Sequence, residues 1–559
     1  MEEVALRTAF RLGVAVIVTL GLLTGTAAAQ DQSRKMVPLF QSPNSRINSD
    51  LAFWGHYAFQ GYYDGTSLTF GDSGVRIFDI SNPAEPVEVK NFKCDGQQND
   101  PILWDRNGNG IPDLMLLAVD RTMESPECGA ARATRVVDGQ TVRYDAKPTG
   151  WEGVRVFTMS DDPANPFATI QQVKAVYTDC GAHTITLWPG FADDASNPRL
   201  LAYVSSYPLR PGPTCGVTQA PTPPYQNTSN PYDEDPGSPD NPLHGVIQTV
   251  EVPLNNPAAS HELTPAGQLP ISYPGDPDNQ IDWTERGLTG LEPAARACHD
   301  IVVHVELRLA AGACAEQGQV WNVLPNGLPD TAHPVSVADD EFSSGGTGQF
   351  PGAIDFFHSA MFNNEGTVVN WVDESFGEGC PTETEWQARP WHPAGTQKTG
   401  RMFFGDVDGN FLSEFHVGDL RPQPLTDPPP YCSAHMGMAV RGVNRDLLVN
   451  AWYTGGVDVI DFSDPTDLKE IAYYKFAGTF GSDNWSAYPY TGPMFRKGPG
   501  IPVYASDGVE DPETGRGTVV FRTRIPKPRR KDRIDHLNPQ TIDAPLAADD
   551  DDDDDRDDD

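Results

Sequence analysis

The stretch GVRIFDISNPAEPVEV at residues 74–89 returns as GVDVIDFSDPTDLKEI at residues 456–471. Val75, Ile77 and the run through Ile80 alternate apolar and polar positions around β-branched side chains, the period-2 signature of a strand. Ser81, Asn82 and Pro83 then turn the chain, through side-chain bonds to nearby backbone and the fixed φ of proline. A second short strand opens at Val87, so the phrase is a β-hairpin. A lone hairpin cannot bury its apolar face, and a repeated one implies neighbours stacked against each other.

Further copies lie between. GVRVFTMSDDPANPFATI starts at Gly153, and weaker forms start at Gly245, Gly318 and Gly400. GTVVFRT at Gly517 is the first half alone. An apolar pair of strands precedes most copies, as in HMGMAV and RDLLVNAWY between His435 and Tyr453. Each unit therefore has four strands, A to D, and seven units over residues 36–523 predict an all-β, seven-bladed β-propeller of four-stranded antiparallel blades. The last unit lacks strand D. MVPLF at Met36 to Phe40 is expected to supply it, closing the ring between the two ends of the chain.

Flanking segments read differently. Residues 1–29 carry Arg7 and Arg11, an apolar run from Leu12 and Ala27-Ala28-Ala29, the pattern of a secretory signal peptide. A secreted, extracellular protein is expected, with no membrane insertion, because no other apolar run reaches spanning length. The propeller is expected over 30–523, with loop insertions at 209–243 and 265–297. Residues 524–559 read as a disordered tail, basic and then poly-Asp. Net charge is −38. The run from Asp549 holds ten Asp and one Arg, so −9, leaving −29 elsewhere. Such a field disfavours nucleic acid and anionic membranes and suits cations or simple solubility. A monomer is expected.

Eight cysteines in an exported chain predict four disulfides. Their places relative to strands A and B pair them as Cys94–Cys128, Cys180–Cys215, Cys298–Cys314 and Cys380–Cys432, all on one face.

Strand A is innermost in a propeller, so its first residues surround the channel. Unit by unit these are Asn99-Asp100, His183, His299-Asp300, His358, His435 and Trp485. The ends of strand B add Asp120, Asp373, Glu374, Tyr453 and Asp507 on the same face. Histidines and carboxylates converging from different strands suit a metal or an acid–base site. A histidine repeated at a blade junction also serves to hydrogen-bond backbone between blades, and the width of the channel limits any shared ion to two or three imidazoles.

Between strands A and B of the second unit, DRNGNGIPD offers Asp105, Asn107, Asn109, the Ile111 carbonyl and Asp113, with Gly110 at the turn. That oxygen-rich spacing predicts a structural calcium ion, although the bidentate glutamate of a full loop is replaced by Leu116. A metal-free Asn-Gly turn is the alternative.

The repeated phrases, with CGAHT, CHDIVV, FHSAMFNNEGT and AHMGMAV, resemble the LVIVD-repeat proteins, a group of exported β-propellers. The resemblance spans residues 45–523. It implies the fold and carries no catalytic residues with it. Two functions stand. The first is a secreted binding protein whose disulfide-stapled channel mouth takes a small molecule, glycan or protein. No G-x-S-x-G, H-E-x-x-H or phosphate loop is present, which supports it. The second is a metal-dependent enzyme, a hydrolase or oxidase, with a transition metal on the histidines and Asp120 or Asp373 as ligand or base.

Overall fold

The computed structural model describes residues 31–44, 46–64, 72–132, 135–137, 140–142, 151–178, 181–205, 246–263, 269–271, 280–281, 294–295, 298–315, 317–339, 350, 354, 356–374, 400–423, 432–478, 481–492, 500–508, 516–528 and 533–543. The expected signal segment, the 209–243 insertion, most of the 265–297 insertion, Cys180, Cys215, Cys380 and the poly-Asp run lie outside these.

The repeated phrase folds the same way in each strong copy. Gly74–Asp79 pairs with Val87–Lys93, and Val457–Asp461 pairs with Lys469–Lys475. Both ladders carry a bulge at the same place, between Ile77 and Phe78 and between Val459 and Ile460. The turns match atom for atom: Asp79 Oδ1 accepts from the Ser81 amide and hydroxyl at 2.9 and 2.6 Å, and Asp461 Oδ1 from those of Ser463 at 3.1 and 2.7 Å. The leading glycine is required by the approach of strand D. Gly74 has φ +154° and Gly456 φ +92°, and a Cβ there would meet the Phe92 or Tyr474 carbonyl oxygen at 2.0 or 2.3 Å.

These units form seven blades. Their innermost strands begin at Ile47, Gln98, Thr184, Asp300, Phe357, Gly437 and Asn484. Each innermost strand touches the next, and the seventh touches the first, so the blades make a closed ring around an axis. Met36–Ser42 pairs antiparallel with Gly517–Thr523 as the outermost strand of blade 7. Apolar faces pack between blades: Val154, Leu187 and Leu200 between blades 2 and 3, and Val449, Val459, Val503 and Val519 between blades 6 and 7. This inter-blade burial is the core, at about 25 cal/mol for each Å² of apolar surface removed from water.

Three features depart from the four-stranded expectation. Gln32–Arg34 adds a fifth strand to the outside of blade 6, pairing with Lys469–Lys475. In the 265–297 insertion, Leu269–Pro270 pairs with Val246–Pro253, and Gln280–Ile281 pairs with Ala294–Ala295. The largest departure is at the C-terminus. Residues 533–543, expected within a disordered tail, are built into the channel. His536–Leu537 pairs with Ile47–Trp54 of blade 1, and Thr541–Ile542 runs parallel to Asp300–His304 of blade 4. In between, Asn538 closes a two-bond clasp on the Leu103 amide and carbonyl of blade 2, at 2.8 and 2.9 Å. Thr541 does the same on Leu187 of blade 3. Composition could not foresee this, because both strands are two residues long and the partners of the whole segment lie in four different blades.

Cys94–Cys128 and Cys298–Cys314 are bonded, as the repeat positions predicted. Cys432 is also disulfide-bonded, and its expected partner Cys380 lies outside the described residues.

Candidate functional site

The start of each innermost strand presents two consecutive residues to the channel region. In blades 1, 2, 5 and 7 a register shift sits at this level, between Asn48 and Leu51, Gln98 and Pro101, Phe357 and Ser359, and Asn484 and Ser486. A bulge re-aims the side chains on either side of it. The first of the two positions is Ser49, Asn99, His183, His299, His358, His435 and Trp485 around the ring. The second is Asp50, Asp100, Thr184, Asp300, Ser359, Met436 and Ser486.

The four histidines of the first position do converge. Ring centroids step from His183 to His299 at 4.4 Å, to His358 at 3.8 Å and to His435 at 4.0 Å, and Trp485 follows at 4.5 Å. Structural and ligand-binding readings of the repeat meet in single side chains. His299 Nδ1 lies 3.0 Å from the His358 carbonyl oxygen of the next blade, and His435 Nδ1 lies 2.6 Å from that of Trp485. One nitrogen joins blades, and the tautomer this selects puts the lone pair on Nε2. His183 Nδ1 instead meets Asp120 Oδ2 at 3.0 Å.

Glu374 completes a compact group. Its carboxylate lies 3.6 Å from His358 Nε2 and 3.8 Å from His435 Nε2, and accepts the Tyr453 hydroxyl at 2.7 Å. One donor atom from each of His358, Glu374 and His435 falls within 4.8 Å of the others, and all three residues are buried. His435 Nε2 has no hydrogen-bond partner. Burial depresses three imidazoles of this row: His299 and His358 fall well below the usual histidine range, helped by neighbouring histidines, and His435 falls to about 3. They are neutral at pH 7, the form that donates to a metal.

Other expected residues have local duties. Asp373 accepts from the Phe356 and Gly400 amides, both at 2.8 Å. Asp507 likewise accepts from the Asp483 and Arg516 amides. Each closes the end of its strand B, so it was Glu374, not Asp373, that reached the histidines. Asp100 belongs to a second group. Its Oδ1 accepts the Asp50 amide at 2.9 Å, and Asp50 Oδ2 accepts the Tyr488 hydroxyl at 2.9 Å. Burial raises the Asp50 carboxyl to about 6, and burial together with Asp50 raises that of Asp100. Asp50 and Tyr488 went unread in the sequence, because neither blade 1 nor blade 7 carries a histidine to mark the level.

The expected calcium loop is internally bonded. Asp105 accepts from the amides of Asn107, Gly108 and Gly110, and Asn109 Oδ1 accepts from that of Ile111. Arg106 pairs with Asp113 at 2.8 Å. An ion at Asp105, Asn107, Asn109, Ile111 and Asp113 would have to displace Arg106 from Asp113.

The LVIVD repeat family matches residues 68–94. The chain thus carries an LVIVD repeat within a seven-bladed β-propeller. No curated protein matches it. Among solved structures it is similar to a putative 6-phosphogluconolactonase from Bacteroides fragilis, at 10% identity over 88% of this chain and 97% of that one, TM-score 0.39. It is also similar to Sqt1 from Chaetomium thermophilum, at 12% identity over 89% and 100%, TM-score 0.41. A third is the Dos1 propeller, at 10% identity over 88% and 95%, TM-score 0.40. At these identities and scores the likeness says nothing about activity. Among the described residues no helix is long and apolar enough to cross a membrane.

Proposed function

We propose that the protein is an exported binding propeller that holds its ligand at the channel mouth through a divalent transition-metal ion on His358, His435 and Glu374. The observation that carries this reading is the meeting of three buried donor atoms within 4.8 Å, one of them an imidazole nitrogen with no hydrogen-bond partner. Two imidazoles and a carboxylate suit zinc or iron-type ions and leave coordination positions open for a ligand. The Trp485 carbonyl fixes the His435 ring, as outer-shell partners of metal ligands do. Export is supported by the apolar leader read in the sequence and by the two bonded cystine pairs.

Elemental analysis of purified protein, followed by Zn²⁺ titration of stripped protein, tests the reading. One transition-metal ion per chain is expected in the wild type and none in a His358→Ala, His435→Ala double variant that keeps its circular dichroism. Equal uptake by the two proteins would refute it.

A metal-dependent enzyme is the second reading. It is favoured by the His183–Asp120 pair at 3.0 Å, a base oriented by a carboxylate in the same histidine row. Hydrolysis of an ester or phosphoester panel that needs both the metal and His183 would select it over binding alone.

A further inference from the structure

The residues one step along the strands from the histidines change from nitrogen to oxygen donors. Asp50, Asp100 and Asp300 stand there on blades 1, 2 and 4, with the Thr184 and Ser359 hydroxyls on blades 3 and 5. The three carboxylates are 2, 5 and 0% exposed. Asp50 lies within electrostatic reach of both Asp100 and Asp300, and the Tyr488 phenol lies within reach of all three. Among the described residues no ion pair joins any of them to a lysine or arginine. Asp300 is the telling member. Its Oδ1 takes the Thr184 hydroxyl at 3.4 Å, while its Oδ2 is buried with no hydrogen-bond partner. A buried, unpaired carboxylate oxygen is costly, and two further carboxylates nearby raise the cost unless positive charge joins them.

We propose that Asp50, Asp100 and Asp300 form a second cation site inside the channel, for a hard divalent cation such as Ca²⁺. Carboxylate and hydroxyl oxygens are the donors such ions prefer, whereas the imidazoles at the mouth suit softer ones. The three carboxylates do not bring an oxygen each within 4.8 Å of one another, as the mouth group does with its donors. The ion therefore keeps part of its water shell, with the Asp300 Oδ2 as a direct or water-bridged ligand. The far end of the channel is crossed by residues 533–543, bound to Leu103, Leu187 and Val303. These lie three residues beyond Asp100, Thr184 and Asp300, roughly 10 Å along an extended strand. The ion is thus enclosed between that strap and the histidines.

Calorimetric titration of chelator-stripped full-length protein with Ca²⁺ tests the site, with Zn²⁺ as the probe of the mouth. We expect one Ca²⁺ per chain, with an affinity of about 1 mM or tighter. Asp300→Asn and Asp100→Asn should each weaken it roughly tenfold or more without altering Zn²⁺ uptake. Asp105→Asn, in the blade 2 loop, should leave it unchanged, and so should the His358→Ala, His435→Ala pair. Calcium uptake that survives both channel variants, or that vanishes with Asp105→Asn alone, overturns the proposal. A wild-type crystal soaked in saturating Ca²⁺ decides the matter without any variant: density between the three carboxylates supports the site, and its absence refutes it.

Discussion

The two ends of the channel are made by the same inner strands, yet they use their polar groups in opposite ways. At the far end, the strap of residues 533–543 leaves Gln540 Nε2 unpaired but bonds to four blades: Asn538 and Thr541 each bond one residue through both amide and carbonyl, and Val303 and Val305 donate to Gln540 and Ile542. Ile534, Leu537 and Ile542 are buried with them. At the mouth, His435 Nε2 and His358 Nδ1 are buried without hydrogen-bond partners. A satisfied polar cluster stabilises, whereas an unsatisfied one costs stability and persists where a ligand completes it. The strap ties four blades together, whereas the mouth is where the proposed metal would complete the pairing.

That contrast can be broken most directly at the strap. Leu537 is 2% exposed in the core cluster shared with Phe53. Leu537→Ala is expected to destabilise by about 2–4 kcal/mol in urea unfolding. A loss below about 1 kcal/mol would show that the strap is dispensable to the ring.

A smaller effect comes from His536, which stacks on Trp54 at 4.3 Å and meets Asp535 and Asp543 at 2.7 and 2.9 Å. Burial opposes its charge, but the two carboxylates outweigh that and push its pKa up to about 10. A raised folded-state pKa stabilises fully below the unfolded value of 6.5 and is lost as pH rises through about 10. Wild-type Tm should therefore fall between pH 7 and 10, and His536→Gln should flatten that slope. Parallel slopes for the two proteins would remove His536 from the account.

The smallest stability change is expected at the mouth. Glu374→Gln keeps an acceptor for the Tyr453 hydroxyl and removes a buried charge. Its unfolding free energy should stay within about 1 kcal/mol of wild type, or rise. Zn²⁺ affinity should drop by more than the roughly 10–100-fold typical of an outer-shell partner. A variant that loses stability and keeps the metal would reverse the roles assigned to the two ends.

Much of this was legible in the chain. The hairpin phrase, its Asp-x-Ser turn and its leading glycine are local patterns, so blade number and strand order could be read directly. His183, His299, His358 and His435 could be placed together because each opens an inner strand. Legibility ended where one residue of phase decides direction. Asp373 and Glu374 are neighbours, and the end of strand B turns one onto backbone amides and the other onto two imidazoles. Asp50 and Tyr488 were hidden for a related reason: their significance lies in facing each other from blades 1 and 7.

By itself the sequence determined a ring of seven repeated sheets, its cystine positions at Cys94–Cys128 and Cys298–Cys314, and a row of histidines at one level. Tertiary structure alone decided that Glu374 joins His358 and His435, that Asp50 bonds both Asp100 and Tyr488, and that residues 533–543 cross the channel. The physical reason is one of range. Strand period and turn chemistry act over a few residues, whereas a site at an axis is assembled from side chains of different blades, aimed by bulges and packing that no single segment encodes.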